Sequence, residues 1–192
     1  MRRIARVVGI LTFWMSMSCQ LFELREPQPP TNGMGWVEPN CPENVLRNME
    51  YAYHYYTLDN YMLCFDSTRF RFYADESLLN GPHGYLYENW DYQKEYQQTQ
   101  QLFSSYLSLS PDEHPLLMIS IDSLDEFGDT ARISAHYRLM VTLRDSRQLT
   151  AFGNSKFYLH RHEDGFWYIF EWWDEKTTPS TLSWAEIKAL DF

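Results

Sequence analysis

The feature that most constrains the fold is an alternation of apolar and polar residues over 130–144. Successive side chains of a β-strand point to opposite faces of its sheet, so a repeat of two predicts a strand with one buried face. Met140 is the one large apolar residue on the polar side. The expected buried face consists of Ala131, Ile133, Ala135, Tyr137, Leu139, Val141 and Leu143. Such a strand has to pair within a sheet and bury this face against a second layer.

Further strands are predicted on either side of this segment. The first spans 116–124, and the second spans 148–162. A bulge is expected near Gly153, because a glycine inside a strand often marks one. Short connections join these segments, and strands joined by a short turn pair in antiparallel orientation. Together they predict an antiparallel meander.

The C-terminal part contains the last strand and a short helix. The strand is the aromatic run at 166–173, whose residue types suit a pleated, half-buried surface. One face of the run includes Glu171, and the other is entirely aromatic. The aromatic face consists of Phe166, Tyr168, Phe170 and Trp172. The aromatic face is the better candidate for the core, in which case Glu171 is exposed, but the residue types leave both faces open. Farther on, Ser183 and Glu186 have the spacing of a capping box, which predicts one turn of helix.

The first half of the domain is predicted to be mainly helical. Pro42 suits the first turn of a helix over 42–56, in which apolar residues recur every three to four positions. A short helix is expected at 60–64, a short strand at 69–73 and a third helix at 90–107. Helices followed by an antiparallel sheet make an α+β fold.

The N-terminal residues have the organisation of a secretory leader, predicted to span 1–18. A basic stretch precedes an apolar segment at 4–15, which is shorter than the roughly 20 residues of a membrane-spanning helix. Ser18 and Cys19 resemble the lipobox of bacterial lipoproteins. The resemblance implies cleavage before Cys19 and its acylation, which would anchor the protein in the cell envelope, on the outer membrane facing the periplasm. Secretion without acylation and an uncleaved anchor are the alternatives.

Residues 19–40 are predicted to form a tether, and 41–192 a single folded domain. The tether is rich in proline and glycine and has no hydrophobic periodicity. Cys41 and Cys64 lie on separate predicted helices, too far apart for a disulfide, so we expect two separate thiols. The net charge of −10 argues against nucleic acid as a partner.

Two parts of the sequence resemble the nuclear transport factor 2-like superfamily. The first comprises 42–46, 60–65 and 70–72, and the second joins 167–174 to 183–188. The resemblance implies a cone, in which a curved antiparallel sheet wraps three N-terminal helices around an apolar pocket. Homodimerisation through the outer face of the sheet is common in the superfamily and is implied as well. Members include isomerases, dehydratases, polyketide cyclases and non-catalytic modules, so the fold does not decide the function.

Aromatic residues with polar tips are candidates to line the pocket. Tyrosine and tryptophan combine an apolar body with one hydrogen-bonding group, which suits a small, largely apolar ligand. The residues expected to line the pocket are Tyr53, Tyr56, Tyr61, Trp90, Tyr96, Phe103, Tyr137 and Phe170. Their alternative role is to form the core or rim of the domain.

Other motifs do not indicate a specific chemistry. The sequence has no phosphate-binding loop, nucleophile elbow or Cys-X-X-Cys pair. His160 and His162 share one side of a strand, but two histidines beside a turn are usually solvated, and we expect neither a metal nor a cofactor. We assign no catalytic role to His136 or Glu171. The sequence favours a non-catalytic binding or interaction domain; the alternative is a cofactor-free isomerase, dehydratase or cyclase acting on a small apolar substrate.

Overall fold

The computed structural model of the chain describes residues 35–105, 116–143 and 145–190. The predicted leader, most of the tether and the acylation site Cys19 lie outside these residues. The helices are α1 (Pro42–Tyr55), α2 (Leu58–Met62), α3 (Glu76–Leu79), α4 (Tyr92–Ser105) and α5 (Trp184–Lys188). The strands are β1 (Arg71–Tyr73), β2 (Trp90–Asp91), β3 (Leu116–Phe127), β4 (Thr130–Thr142), β5 (Gln148–Arg161) and β6 (Trp167–Lys176). None of the helices within the described ranges is long and apolar enough to cross a membrane.

The strands form one curved, open sheet in the order β2-β1-β6-β5-β4-β3. The predicted meander from β3 to β6 is confirmed, with antiparallel pairing throughout. One pair departs from the predicted antiparallel sheet, because β1 lies parallel to β6. No tight turn joins these two strands, so no hairpin fixes their relative direction.

The alternation that predicted β4 is confirmed residue by residue. All seven residues expected to face inward are buried, at 3% exposure or less. They belong to the same hydrophobic core as the apolar residues of α1, which include Val45, Met49 and Ala52. This packing of helices on one face of the sheet confirms the α+β class.

In β6 the face favoured as core points inward only after Phe170, because a bulge changes which face is buried. Tyr158 of β5 pairs with Glu171, whereas Leu159 pairs with Ile169, so Phe170 is an extra residue. After such an extra residue, side chains that would have pointed to one face of the sheet point to the other face. The residues of β6 that face inward are Trp167, Ile169, Trp172 and Asp174. Of the four residues on the all-aromatic face, only Trp172 is buried.

The bulge predicted near Gly153 is absent from the described pairing, which is regular at this position. Gly153 has a different reason to be glycine. It pairs with Tyr137, and a Cβ atom at residue 153 would overlap the phenol ring of Tyr137. Glycine thus leaves room for this ring on the inner face of the sheet.

The N-terminal half largely follows the prediction. α1 ends one residue before its predicted end, and α2 begins two residues before its predicted start. Cys41 and Cys64 are free thiols, as expected. The end of the predicted tether joins the domain: Asn48 exchanges hydrogen bonds with the backbone of Val37, and the Pro39 carbonyl accepts one from the Trp167 N–H.

Candidate functional site

Helix α4 carries a carboxylate into the centre of the domain. Glu95, Thr99 and Leu102 are fully buried, since residues four and seven positions apart share one helix face. The carboxylate accepts hydrogen bonds from the Tyr61 hydroxyl at 2.6 Å and the Trp90 indole N–H at 2.8 Å. The Thr99 hydroxyl lies 3.2 Å from the same group. These neutral donors come from α2, β2 and α4, so three elements fix the position of the carboxylate.

Helix α5 supplies the matching cation. Nζ of Lys188 lies 2.7 Å from Oε1 of Glu95, and both side chains are completely buried. Five ring centroids lie within 6.0 Å of this ammonium, that of Trp172 at 4.0 Å. The rings belong to Tyr61, Phe72, Trp90, Trp172 and Trp184. Burial lowers the pKa of Lys188, whereas the Glu95 carboxylate acts to raise it.

A second buried carboxylate lies on β6. Oδ1 of Asp174 accepts a hydrogen bond from the Tyr137 hydroxyl at 2.6 Å, and Oδ2 accepts one from the Ala185 N–H at 2.8 Å. The Tyr137 hydroxyl in turn accepts a hydrogen bond from the Trp184 N–H at 2.8 Å. Burial raises the pKa of Asp174 to about 6 and that of Tyr137 far above its ordinary value. This network holds the first turn of α5 against the sheet.

Several further contacts dock α5. The predicted capping box is confirmed, since the Ser183 hydroxyl accepts from the Glu186 N–H and the Glu186 carboxylate accepts from the Ser183 N–H. Nζ of Lys176 lies 2.8 Å from the Glu186 carboxylate. The Trp184 indole N–H donates to the Tyr53 hydroxyl at 2.6 Å. A helix of five residues is too short to be stable alone, so these contacts hold it in place.

As a result, α5 fills the space that the curved sheet encloses. Trp184, Ile187 and Lys188 have no exposed surface. The Trp184 ring packs edge-on against that of Trp172, with the centroids 4.5 Å apart. Three surface hollows, of ≈ 460, ≈ 440 and ≈ 360 Å³, are lined by residues other than Glu95, Asp174 and Lys188.

The residues predicted to line a pocket divide into three groups. The members buried in the interior network are Tyr53, Tyr61, Trp90 and Tyr137. Tyr56 and Phe103 are partly buried beside it, with the Phe103 ring centroid 5.1 Å from that of Tyr53. Tyr96 lines a hollow between α2 and α4. The structure separates Phe170 from the others, because the β6 bulge places it on the outer face near the Arg69 guanidinium.

The charged residues at the centre of the domain were not predicted from the sequence. Glu95 had a local signal, since it precedes Thr99 by four positions on the same face of α4. Asp174 follows the end of the predicted strand at 173, although the strand repeat of two would place it on the same face as Trp172. Lys188 had no local signal, because its burial depends on where α5 docks.

The histidines considered from the sequence lie outside the cone interior. The rings of His160 and His162 are 5.5 Å apart, and Nε2 of His162 lies 3.2 Å from the Asp66 carboxylate. His136 pairs with Asp122 at 2.9 Å on the exposed side of the sheet. No group of three or more potential ligands suited to a metal ion occurs in the part of the chain that the structure describes.

Comparison with known proteins identifies the fold. No protein-family model matches the sequence, and no curated protein matches it. A nuclear transport factor 2-like superfamily protein from Salmonella enterica matches the structure with a TM-score of 0.53 and 9% identity, over 72% of this chain and 90% of that one. The chain has the nuclear transport factor 2-like fold.

Two further solved structures share the nuclear transport factor 2-like fold with this chain. A candidate aromatic ring hydroxylase from Novosphingobium aromaticivorans has a TM-score of 0.58 and 13% identity, over 79% of this chain and 96% of that one. A ketosteroid isomerase-like protein from Erwinia carotovora has a TM-score of 0.51 and 9% identity, over 78% of this chain and 99% of that one. Such low identities establish the fold alone, and chemistry has to be argued from the site.

Proposed function

We propose that this nuclear transport factor 2-like protein is a non-catalytic binding module of the cell envelope. The observation that carries the proposal is the filled interior, where α5 places Trp184 and Lys188 in the space that a substrate would need. A general acid or base has to come within hydrogen-bond reach of its substrate. Glu95 and Asp174 are instead occupied by donors of the chain itself. Binding is therefore assigned to the outside of the cone.

The outer face of the sheet offers an apolar surface for this purpose. Leu116, Met118 and Phe152 are 41%, 48% and 39% exposed. Strand register places Met118 and Phe152 on either side of Arg138, whose guanidinium lies 5.6 Å from the Phe152 ring centroid. Met140 pairs with Leu116 and extends the surface. Exposed apolar residues grouped on neighbouring strands are typical of protein interfaces.

A second copy of this chain is the proposed occupant of the outer face. The resemblance to nuclear transport factor 2-like proteins, which commonly pair through this face, supports a homodimer. Native mass spectrometry of the chain without its predicted leader should give twice the chain mass and no added small molecule. Met118→Glu and Phe152→Glu should convert the dimer to a monomer, because each buries a charge in an apolar interface. Tyr85→Glu is the matched control, since Tyr85 is 66% exposed in a short 3₁₀ helix at Gly84–Leu86, away from strands β3 to β5.

Two results would contradict these proposals. A wild-type chain that is monomeric at micromolar concentration would exclude the homodimer. A stoichiometric small molecule retained in the native mass spectrum would contradict the filled interior and favour an enclosed ligand site.

Anchoring by an acyl group on Cys19 is the proposed route to the membrane, on the periplasmic side of the outer membrane. The lipobox-like residues Ser18 and Cys19 at the end of the predicted leader support it. Cys19→Ala should abolish acylation and release the protein from membranes in a cell fractionation experiment, whereas Cys41→Ala should leave it membrane-bound. Retention of the Cys19→Ala protein in the membrane fraction would contradict acylation at this position.

The second candidate function is a cofactor-free isomerase, dehydratase or cyclase. The observation in its favour is the Asp174–Tyr137 pair, since a carboxyl group with a pKa of about 6 is suited to proton transfer near neutral pH. This function requires α5 to leave the cone, so that a small apolar substrate can reach Asp174. Binding of such a molecule that is lost in Asp174→Asn, while binding at the outer face is unchanged, would favour the enzyme.

A further inference from the structure

The buried ammonium of Lys188 lies in surroundings that would recognise a cation from solution. Ring faces with their negative quadrupoles attract cations, and cages of aromatic rings are used by proteins to bind ammonium ligands. Here Trp172 is 4.0 Å from Nζ and Phe72 is 4.8 Å from it, measured to the ring centroids. Glu95 adds a full negative charge at 2.7 Å. The cage and its counter-ion together match one protonated amine.

Most of this site does not depend on Lys188. Tyr61, Trp90 and Thr99 hold the Glu95 carboxylate through neutral donors that remain when the lysine side chain is removed. The Trp172 indole is also fixed, because its N–H donates to the Ser155 hydroxyl at 3.0 Å. Loss of the ammonium would therefore leave a preorganised cavity with a buried negative charge and no cation.

We propose that the cone interior is an ammonium-binding site whose native occupant is the chain's own Lys188, and that a free primary alkylammonium ion takes its place when that side chain is removed. This inference goes beyond the proposed outer binding surface, since it concerns the interior. It does not require the homodimer or the acyl anchor.

The ligand class follows from the charge and the size of the vacated space. Lys188→Ala removes three carbon atoms and the ammonium nitrogen, which correspond to n-propylammonium. The Glu95 carboxylate selects a cation with N–H donors, and the rings of Phe72 and Trp172 around Nζ favour the same charge. A neutral alcohol of the same length would fill the volume without neutralising Glu95, and a carboxylate would be repelled by it.

The test is thermal unfolding of the full-length Lys188→Ala chain with and without n-propylammonium chloride. At about a hundredfold above its Kd, a ligand specific for the native state should raise the Tm of a chain of this size by about 5–10 °C. The rise should saturate with concentration, and 1-propanol and potassium chloride should not reproduce it. Wild type should show no such rise, because its site is filled. Lys156→Ala is the matched variant, since Lys156 forms an exposed ion pair with Glu175.

The double variant Glu95→Gln with Lys188→Ala keeps the cavity but removes its charge. It should lose the preference for the amine over 1-propanol. Equal stabilisation of Lys188→Ala by both additives would overturn the proposal, since the cavity would then be only apolar. If Lys188→Ala does not fold alone, refolding from urea in the presence of n-propylammonium supports the proposal. Failure to refold with the amine, or absence of a Tm shift in a folded variant, overturns it.

Discussion

Replacing Lys188 by methionine separates the charge of the central pair from its packing. Methionine is similar to lysine in length and fills the same space among the rings. Glu95 then keeps its three neutral donors but loses the ammonium at 2.7 Å. The change therefore leaves a carboxylate with no exposed surface and no compensating cation.

The expected loss of stability follows from this burial. Removing one partner of a buried ion pair typically costs about 3–5 kcal/mol, because the remaining charge stays desolvated. The three neutral donors and the added apolar surface of methionine offset part of this cost, so we expect about 3 kcal/mol. That is a large fraction of the roughly 5–15 kcal/mol that stabilises a typical native protein.

Urea unfolding followed by circular dichroism measures the effect as a change in the free energy of unfolding at constant m-value. Lys156→Met is the control, because Lys156 and Glu175 form an exposed pair whose loss should cost at most about 1 kcal/mol. The double variant Glu95→Gln with Lys188→Met should regain most of the lost stability, since a buried pair replaced by neutral groups is often not destabilising. A Lys188→Met variant no less stable than Lys156→Met would refute the account of the interior as a desolvated ion pair.

Three further changes test the surroundings of α5. Because burial raises the pKa of Asp174 from 3.8 to about 6, the native state holds a proton that the unfolded state has lost in this range. Stability relative to Asp174→Asn should therefore fall by about 2–3 kcal/mol as the pH rises from 4 to 7, measured by urea unfolding at each pH. Tyr53→Phe removes the acceptor of the buried Trp184 indole N–H and should cost about 1–3 kcal/mol in the same assay. Ser183→Ala removes the cap of α5 and should cost about 0.5–2 kcal/mol.

Each of these three changes has a control variant or a result that would contradict its prediction. A constant difference between wild type and Asp174→Asn across the pH range would exclude a raised pKa. Tyr85→Phe, at an exposed tyrosine, should leave stability unchanged, and an equal effect at Tyr53 would mean that its hydroxyl is dispensable. Ser180→Ala is the control for Ser183→Ala, since it changes an exposed serine before α5. Equal stabilities of the two serine variants would show that the cap does not support α5.

Local patterns allowed much of the fold to be predicted. The alternation of β4 needed only the strand repeat of two, and the capping box at Ser183 and Glu186 needed only neighbouring residues. Pro42 marked the start of α1 for the same reason. In each of these cases the interacting residues are close in sequence or share one face of a regular element.

The buried face of β6 could not be predicted in the same way. Both faces of its aromatic run are apolar enough to form a core, so composition did not distinguish them. The bulge at Phe170 arises from pairing with β5. Because of it, Ile169 before the bulge and Trp172 after it both point inward. Partner strands, and not the segment itself, decided which aromatic residues enter the core.

The sequence by itself determined the class of fold, the strand faces with a clear alternation and the short terminal helix. It did not determine what occupies the interior of the cone. Glu95 and Lys188 are 93 positions apart, and each is of a charged residue type that ordinarily lies on the surface. Only the docking of α5 brings them together, where burial makes each charge dependent on the other. The tertiary structure therefore decided that the expected pocket is filled by the chain itself.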